Sequence, residues 1–290
     1  MSNSVPDIAQ SPVTLASLRA ELDRLDDAMH DLLMQRAEVV EKVGALGAKG
    51  PVALRPGREA DIIRRLLRRH TGKLPRRLLP RLWRELFAAT TSMQGPYNVA
   101  VCEVQPGSGF VAAAREHFGM LTPIRTHRSP AQALAEVSAG TAMVAVLPMP
   151  AEEEAAGAAW WTALLQRDEP RIHVLARLPF WSPRAEGAPT VRALVVASVP
   201  PDASAHDRSL IGLELPLEMS RARLSEAMTK AGFSVGGIIL RRDPYDPMAL
   251  ALVDVDGLVS DADPRLAALA TRRRPVVLGA YAVPVDGEKE

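Results

Sequence analysis

The first third of the chain is patterned for long amphipathic helices. Between residues 14 and 46, apolar residues recur at steps of three and four, the spacing of one helical face. A helix this long cannot bury such a stripe within one small domain, so we expect a partner helix, most simply from a second chain. The seam comprises Leu15, Leu18, Leu22, Leu25, Met29, Leu32, Val39, Val43 and Leu46. Two further helices are predicted, over residues 58–70 and 75–94, separated by turns rich in Gly and Pro.

The pattern changes at Gln94-Gly95-Pro96, after which short Val-rich runs alternate with Ala-rich helical runs. Strands are predicted over residues 98–103, 142–148, 171–178, 191–199, 234–242, 248–254 and 275–283. Helices are predicted over residues 110–118, 131–138, 160–166, 217–231 and 264–271, and residues 179–189 are interpreted as a linker. From residue 191 onward the order is βαββαβ, which is typical of ferredoxin-like layers of helices on an antiparallel sheet.

These elements predict a multidomain chain of class α plus α/β. We expect a disordered tail over residues 1–12 and a three-helix domain over residues 13–96. A small α/β region should follow over residues 97–182, and a βαββαβ domain over residues 190–290.

Composition narrows the setting of the protein. The net charge of +1 gives no general argument for a nucleic-acid or membrane partner. Cys102 is the single cysteine, so no intramolecular disulfide can form, which fits a reducing compartment. No run approaches the ~18 apolar residues of a membrane span, and the first twelve residues lack the apolar core of a signal peptide. We therefore predict a cytoplasmic protein.

Two arginines on the first helix are candidate ligand-binding residues. Arg36 lies on the apolar seam, where a charge is costly unless it is paired, either with a ligand or in a structural ion pair. Arg19 lies seventeen positions earlier, about 25 Å away along a helix rising ~1.5 Å per residue. One small ligand cannot contact both within one helix. Either a second chain supplies one of them, or Arg19 is simply a surface charge.

The second and third helices contribute further candidates. Arg58 and Glu59 open the second helix. Glu59 suits the positive end of the helix dipole, whereas Arg58 is unfavourable there, which indicates an anionic partner. Thr90 and Gln94 lie four apart and so share a face of the third helix.

A basic run and a glycine turn leave several interpretations open. Residues 55–84 contain eleven Lys and Arg residues and far fewer acidic ones. This run can be a solvated face, an electrostatic funnel for small dianions, or a nucleic-acid surface. The near absence of aromatic side chains disfavours the last. Gly107-Ser108-Gly109 could be a phosphate-binding turn, although no lysine follows it.

The spacing of these residues resembles the all-helical chorismate mutase family. The resemblance is carried by Leu18-Arg19, Leu25-Asp26, Leu32-Leu33, Arg36, Arg55-Pro56-Gly57-Arg58-Glu59, Arg81-Leu82-Trp83, Thr90 and Gln94. It covers about a quarter to a third of the chain. The resemblance implies an intertwined helical homodimer that rearranges chorismate to prephenate without a cofactor or metal.

The resemblance also assigns roles to individual residues. Arg36, Arg58 and the partner subunit's Arg19 would clamp the two carboxylates of chorismate, because guanidinium groups match carboxylates well. Thr90 would assist them. Gln94 would donate to the ether oxygen, which gains negative charge as its bond breaks.

By the same resemblance, Glu59 would accept a hydrogen bond from the ring hydroxyl of chorismate.

Two positions depart from the family pattern. Gly47 stands where the family has a lysine that binds the ether oxygen, and Lys49, two residues on, is the nearest replacement. Arg55 stands where an aspartate is frequent.

The rest of the chain resembles a reduced prephenate dehydratase. The strand over residues 98–103 with its glycine turn, and the strand ending at Pro148, are similar to that family. The Glu-Asn pair expected after the proline and the lobe carrying the Thr-Arg-Phe motif are missing. The βαββαβ unit resembles an ACT domain, which would sense an aromatic amino acid or serve only in dimerisation. Arg241-Arg242-Asp243-Pro244 stands where that family has Glu-Ser-Arg-Pro.

The sequence therefore predicts a cytoplasmic homodimeric chorismate mutase in phenylalanine and tyrosine biosynthesis, without dehydratase activity. Its partners would be chorismate and an aromatic amino-acid effector, with no nucleic acid and no membrane. The alternative is a catalytically impaired protein that binds or senses chorismate or an aromatic amino acid, which the glycine at position 47 favours.

Overall fold

A computed structural model describes residues 13–46, 54–155, 158–243, 246–269, 271 and 273–287. The chain divides into two compact units. The first contains helix α1 (Leu15–Ala45), and the second contains everything described from residue 54 onward. The expectations for residues 1–12, Gly47 and Lys49 lie outside the described residues.

Helix α1 leaves its apolar face uncovered. It begins after Thr14, whose hydroxyl accepts from the Ser17 amide while the Ser17 hydroxyl accepts from the Thr14 amide, forming a capping box. No residue within α1 is buried. Its exposed large apolar side chains are Leu15, Leu18, Leu22, Leu25, Met29, Leu32, Leu33, Met34, Val39 and Val43. The predicted helix is confirmed to within one residue at each end, and its large apolar side chains are exposed.

Helices α2 (Pro56–Arg69) and α3 (Leu78–Ser92) belong to the second unit. Their apolar residues form one cluster with side chains from the C-terminal half of the chain. The buried members of that cluster are Ala60, Ile63, Leu67, Phe87, Phe180, Ala282 and Val285. The prediction that the third helix opens at Pro75 is wrong by three residues, because the Pro75 carbonyl accepts from the Leu78 amide in a preceding turn.

The remaining elements build one large mixed sheet. The strands of this sheet are β1 (Val99–Cys102), β2 (Ile124–His127), β3 (Val144–Pro148), β4 (His173–Leu178), β6 (Ala193–Ala197), β7 (Asp207–Pro216), β8 (Val235–Arg242), β9 (Met248–Asp256) and β10 (Val276–Ala282). A separate short pair is formed by β5 (Trp181–Ser182) and β11 (Val285–Asp286). The helices are α4 (Phe110–Phe118), α5 (Pro130–Ser138), α6 (Arg221–Lys230) and α7 (Pro264–Ala267), with a 3-10 helix at Trp160–Gln166.

The sheet runs in the order β2-β1-β3-β6-β4-β10-β7-β9-β8. Strands β2, β1 and β3 are parallel, as expected for strands joined through the helices α4 and α5. Strand β4 pairs with β10 in parallel, so the α/β region and the C-terminal region share a continuous sheet. Strand β2 was not predicted, since its sequence is polar and it lies at an edge.

The βαββαβ order is present, but its first strand is not the predicted one. The unit is β7-α6-β8-β9-α7-β10, with the antiparallel order β10-β7-β9-β8 of a ferredoxin-like layer. The predicted first strand, residues 191–199, instead forms β6 between β3 and β4. Strand β6 is buried throughout, so it appears as a plain apolar run that fits either sheet region.

The linker predicted over residues 179–189 also contains structure. It includes β5, which pairs in parallel with β11 near the C-terminus. The Phe180 carbonyl accepts from the Val285 amide at 2.7 Å. This pairing brings Phe180 against helices α2 and α3.

Candidate functional site

The first turn of α2 carries Arg58 and Glu59 and is capped by a residue far along the chain. Arg55, which precedes the helix, makes no side-chain capping bond. One carboxylate oxygen of Asp202 accepts from the Gly57 amide and the other from the Arg58 amide, each at 3.0 Å. Asp202 thus places a carboxylate at the positive end of the helix, where it is bonded to backbone amides. The Arg58 side chain is exposed.

Glu59 forms a buried ion pair with Arg84 of α3. The Arg84 guanidinium donates to the Glu59 carboxylate at 2.6 Å, and the two side chains are only 5% and 13% exposed. The same guanidinium stacks over the Phe180 ring at 4.9 Å from its centroid. Burial lowers the pKa of Arg84, while the Glu59 charge opposes that change. The pair therefore places a carboxylate from the first turn of α2 against a guanidinium from α3 inside the protein.

Two further titratable side chains belong to this buried environment. Burial, and then the charge of Glu59, raise the pKa of Tyr97 well above its ordinary value. Burial, and then the positive charge of Arg84, lower the pKa of His117 well below its ordinary value. His117 packs edge-to-face on Phe118 with ring centroids 4.8 Å apart. His117 is therefore neutral in the folded chain at neutral pH.

Neutral burial of His117 predicts a loss of stability in acid. Below an unfolded-state pKa of about 6.5, the unfolded chain binds a proton that the folded chain does not, so stability falls as pH falls. For one such group the loss is about 2 kcal/mol between pH 7 and pH 5. Urea titrations at both pH values should show that His117→Leu removes this part of the pH dependence. His206 is exposed, and His206→Leu should retain this pH dependence. If stability changed equally with pH in both variants, the pH dependence could not be assigned to His117.

Thr90 and Gln94 lie together at the C-terminal end of α3. The Thr90 hydroxyl donates to the Leu86 carbonyl at 2.8 Å and to the Phe87 carbonyl at 3.3 Å. The Gln94 amide nitrogen donates to the Thr90 carbonyl at 2.9 Å. Both donors are thus turned back onto their own helix in this structure, and each would have to rotate to reach a ligand.

The structure divides the predicted site residues between the two units. Arg19 is exposed and Arg36 is partly buried, and both lie on α1 in the first unit. Arg58 and Glu59 on α2, Thr90 on α3, and Gln94 in the turn that follows α3 lie in the second unit. Lys49 lies outside the described residues.

A separate cavity of about 600 Å³ opens at the carboxyl ends of β1 and β2. Glu103, which follows β1, directs a carboxylate oxygen to the Val111 amide at 2.9 Å. This amide belongs to the first turn of α4, whose N-cap is Gly109 in a left-handed conformation. The N-terminus of α4 therefore already has an internal anion, which argues against the phosphate-turn interpretation of Gly107-Ser108-Gly109. The charged and imidazole side chains lining the cavity are Glu103, Arg115, His127 and Arg128.

Sequence reasoning missed Arg84 and Asp202. The buried residues of α3 are Pro80, Arg84, Phe87, Ala88 and Thr91, at helical spacing. Arg84 thus carries the same signal that singled out Arg36, a charge on a buried stripe, and could have been found. Asp202 lies 145 positions from Gly57, and no local pattern predicts that contact.

Within the described ranges, no group of three or more His, Cys, Asp or Glu residues could hold a metal ion. No helix in the part of the chain that the structure describes is long and apolar enough to cross a membrane.

The solved structures that superpose on part of the chain include prephenate dehydratases and a protein described as a quorum quenching acylase. The prephenate dehydratase of Streptococcus mutans superposes with a TM-score of 0.47 at 15% identity, covering 65% of this chain and 98% of that one. GqqA, described as a novel type of quorum quenching acylase, superposes with a TM-score of 0.49 at 16% identity, covering 65% of this chain and 96% of that one.

Curated relatives share sequence with about half of the chain or less. The bifunctional chorismate mutase/prephenate dehydratase of Pseudomonas aeruginosa is 29% identical over 148 residues, 49% of this chain and 40% of that protein. The corresponding Aquifex aeolicus protein is 32% identical over 123 residues, 39% of this chain and 33% of that protein. The chain thus spans well under two thirds of the length of these relatives. The family model for chorismate mutase type II matches residues 18–95, so the chain carries a chorismate mutase type II domain in its N-terminal third.

Proposed function

We propose that the chain is a chorismate mutase, an isomerase that rearranges chorismate to prephenate in phenylalanine and tyrosine biosynthesis in the cytoplasm. The match of residues 18–95 to the type II family is the observation that carries the proposal. That segment contains every predicted site residue: Arg19, Arg36, Lys49, Arg58, Glu59, Thr90 and Gln94.

The chemistry requires binding and charge stabilisation but no covalent intermediate. The carbon–oxygen bond of the ether breaks as a carbon–carbon bond forms within one molecule, so the protein must hold the reactive conformer. Arginine side chains bind the two carboxylates. The Gln94 amide donates to the ether oxygen as negative charge develops there.

The pairing of Glu59 with Arg84 suits the role proposed for Glu59. A carboxylate accepts a hydrogen bond from the ring hydroxyl more strongly when it is ionised, and a buried carboxylate alone tends to gain a proton. The Arg84 guanidinium at 2.6 Å favours the charged form.

We propose that the working form is a homodimer joined through α1. The uncovered apolar seam supports this, since ten large side chains of α1 are between 36% and 65% exposed. The single helix that carries Arg19 and Arg36 holds them about 25 Å apart. A second chain would bring the partner's Arg19 to the site that contains Arg36.

The further parts of the proposal concern the remainder of the chain. The absence of dehydratase activity is supported by the sequence, which contains no Thr-Arg-Phe motif and has Met149-Pro150 after Pro148. The ferredoxin-like strand order of the βαββαβ unit fits its resemblance to an ACT domain, and that resemblance implies either regulation by an aromatic amino acid or a role in dimerisation.

A second candidate function is a catalytically impaired protein that binds chorismate or an aromatic amino acid. Gly47 in place of a charged donor favours it. The Thr90 and Gln94 donors, which are turned onto their own helix, favour it as well.

The test of the proposed function is chorismate turnover by the purified full chain and two arginine variants. Arg58→Ala should raise KM for chorismate about tenfold or more, because a charge-assisted contact to a carboxylate is lost. The exposed Arg65→Ala on the same helix is the matched control and should leave KM unchanged. Equal effects of the two variants would indicate general electrostatic attraction and contradict the proposed clamp.

A further inference from the structure

The segment leading into β7 contacts the start of α2 at two points. Asp202 caps the helix through the Gly57 and Arg58 amides. Three residues later, the Ala205 amide donates to the Asp61 carboxylate at 3.0 Å. A loop from the C-terminal half of the chain is therefore attached to the first two turns of α2.

The loop approaches the helix backbone closely, and Gly57 makes this approach possible. A Cβ atom at position 57 would lie 2.6 Å from the Asp202 carbonyl oxygen and 2.7 Å from that of Ala203. Such distances are well inside van der Waals contact. The contact is therefore close-packed along the main chain and does not depend on flexible side chains alone.

The loop is itself fixed to the sheet. The Ser204 amide donates to the Asp207 carboxylate at 2.8 Å. The His206 carbonyl accepts from the Val283 amide at 2.9 Å, directly after β10. Asp202 is thus held by a segment anchored at the start of β7 and the end of β10.

This arrangement replaces the missing local cap of α2. The residue before the helix makes no side-chain capping bond, so the first-turn amides depend on Asp202. A carboxylate that accepts from two amides at a helix N-terminus makes strong, charge-assisted bonds. Loss of such a cap frays the first turn of a helix, and here that turn carries Arg58 and Glu59.

We propose that Asp202 is a positioning residue for the mutase site. It fixes the first turn of α2 and, through that turn, the Arg58 guanidinium and the Glu59 carboxylate. Asp202 does not touch the substrate. This inference rests on the proposed function, and it makes the precision of the helical site depend on a loop of the α/β region.

The experiment compares Asp202→Ala with Asp61→Ala in the full chain. Asp61→Ala is the matched control, because it removes the other contact of the same loop and leaves the Gly57 and Arg58 amides capped. Asp202→Ala should lower kcat/KM for chorismate about tenfold, mainly through KM, because the substrate clamp loses its preorganisation. Asp202→Asn retains one acceptor oxygen and should recover part of the loss.

Amide hydrogen exchange supplies a readout that does not depend on activity. The Gly57 and Arg58 amides should exchange at least tenfold faster in Asp202→Ala than in the wild type. In Asp61→Ala their exchange rates should equal those of the wild type. Equal kinetic effects of the two alanine variants, or unchanged exchange in Asp202→Ala, would overturn the inference while the wild type still turns over chorismate. A wild type without turnover would overturn the proposed function, and with it the inference.

Discussion

Replacing Arg84 with methionine should lower the free energy of unfolding by about 3–5 kcal/mol. The change leaves the Glu59 carboxylate in a buried position, 13% exposed, without the guanidinium that now lies 2.6 Å away. Methionine keeps apolar contact with Phe180, so the loss of stability reports the removal of the Glu59–Arg84 ion pair more than the creation of a cavity. Urea unfolding followed by circular dichroism measures the effect.

Two matched variants separate charge from packing. Arg81→Met changes an exposed arginine on the same helix and should alter stability by no more than about 0.5 kcal/mol. Adding Glu59→Gln to Arg84→Met removes the carboxylate charge from this position and should recover part of the stability. A loss below about 1 kcal/mol in Arg84→Met would show that the pair contributes no more than a surface ion pair.

Gly47→Lys should raise kcat for chorismate by about a hundredfold. By resemblance, this position supplies a cation to the ether oxygen, and one such donor is worth ~10²–10³ in rate. Stopped assays of chorismate consumption at saturating substrate measure the change. The gain should appear in kcat more than in KM, because the charge on the ether oxygen develops in the transition state.

Ala48→Lys is the matched control for Gly47→Lys. It adds the same charge one position along the chain and should leave kcat near the wild-type value. A wild type that binds chorismate, with no gain from Gly47→Lys, would favour the binding-protein alternative. Equal gains from both variants would indicate long-range attraction of the dianion instead.

The sequence predicts best those elements whose apolar residues recur at a regular spacing. The three-and-four spacing from Leu15 to Val43 predicts α1 almost to its ends, and the same spacing singles out Arg36. Strand β7 falls in a stretch for which the sequence predicts no strand or helix, because it begins with charged residues and ends at Pro216. The fully buried β6 is predicted as the first strand of the βαββαβ arrangement, whereas it lies between β3 and β4. An apolar run of five residues does not specify which strands lie beside it.

The parts of the site that sequence reasoning missed are long-range. The Asp202 cap joins residues 145 positions apart, and it becomes visible only when the end of β10 and the start of β7 lie beside α2. Arg84 differs, because its place among Pro80, Phe87 and Thr91 marks a buried charge from spacing alone. Burial of a charge predicts that a partner exists, and only the fold identifies that partner as Glu59.

The central claim is that the N-terminal helices catalyse the rearrangement of chorismate. The most direct measurement is the loss of chorismate absorbance in the ultraviolet, with purified full chain and an Arg36→Ala variant shown to be folded. The account predicts turnover by the wild type and a loss of at least about a hundredfold in Arg36→Ala. No turnover by a folded wild-type protein at high concentration, or equal turnover by Arg36→Ala, would contradict it.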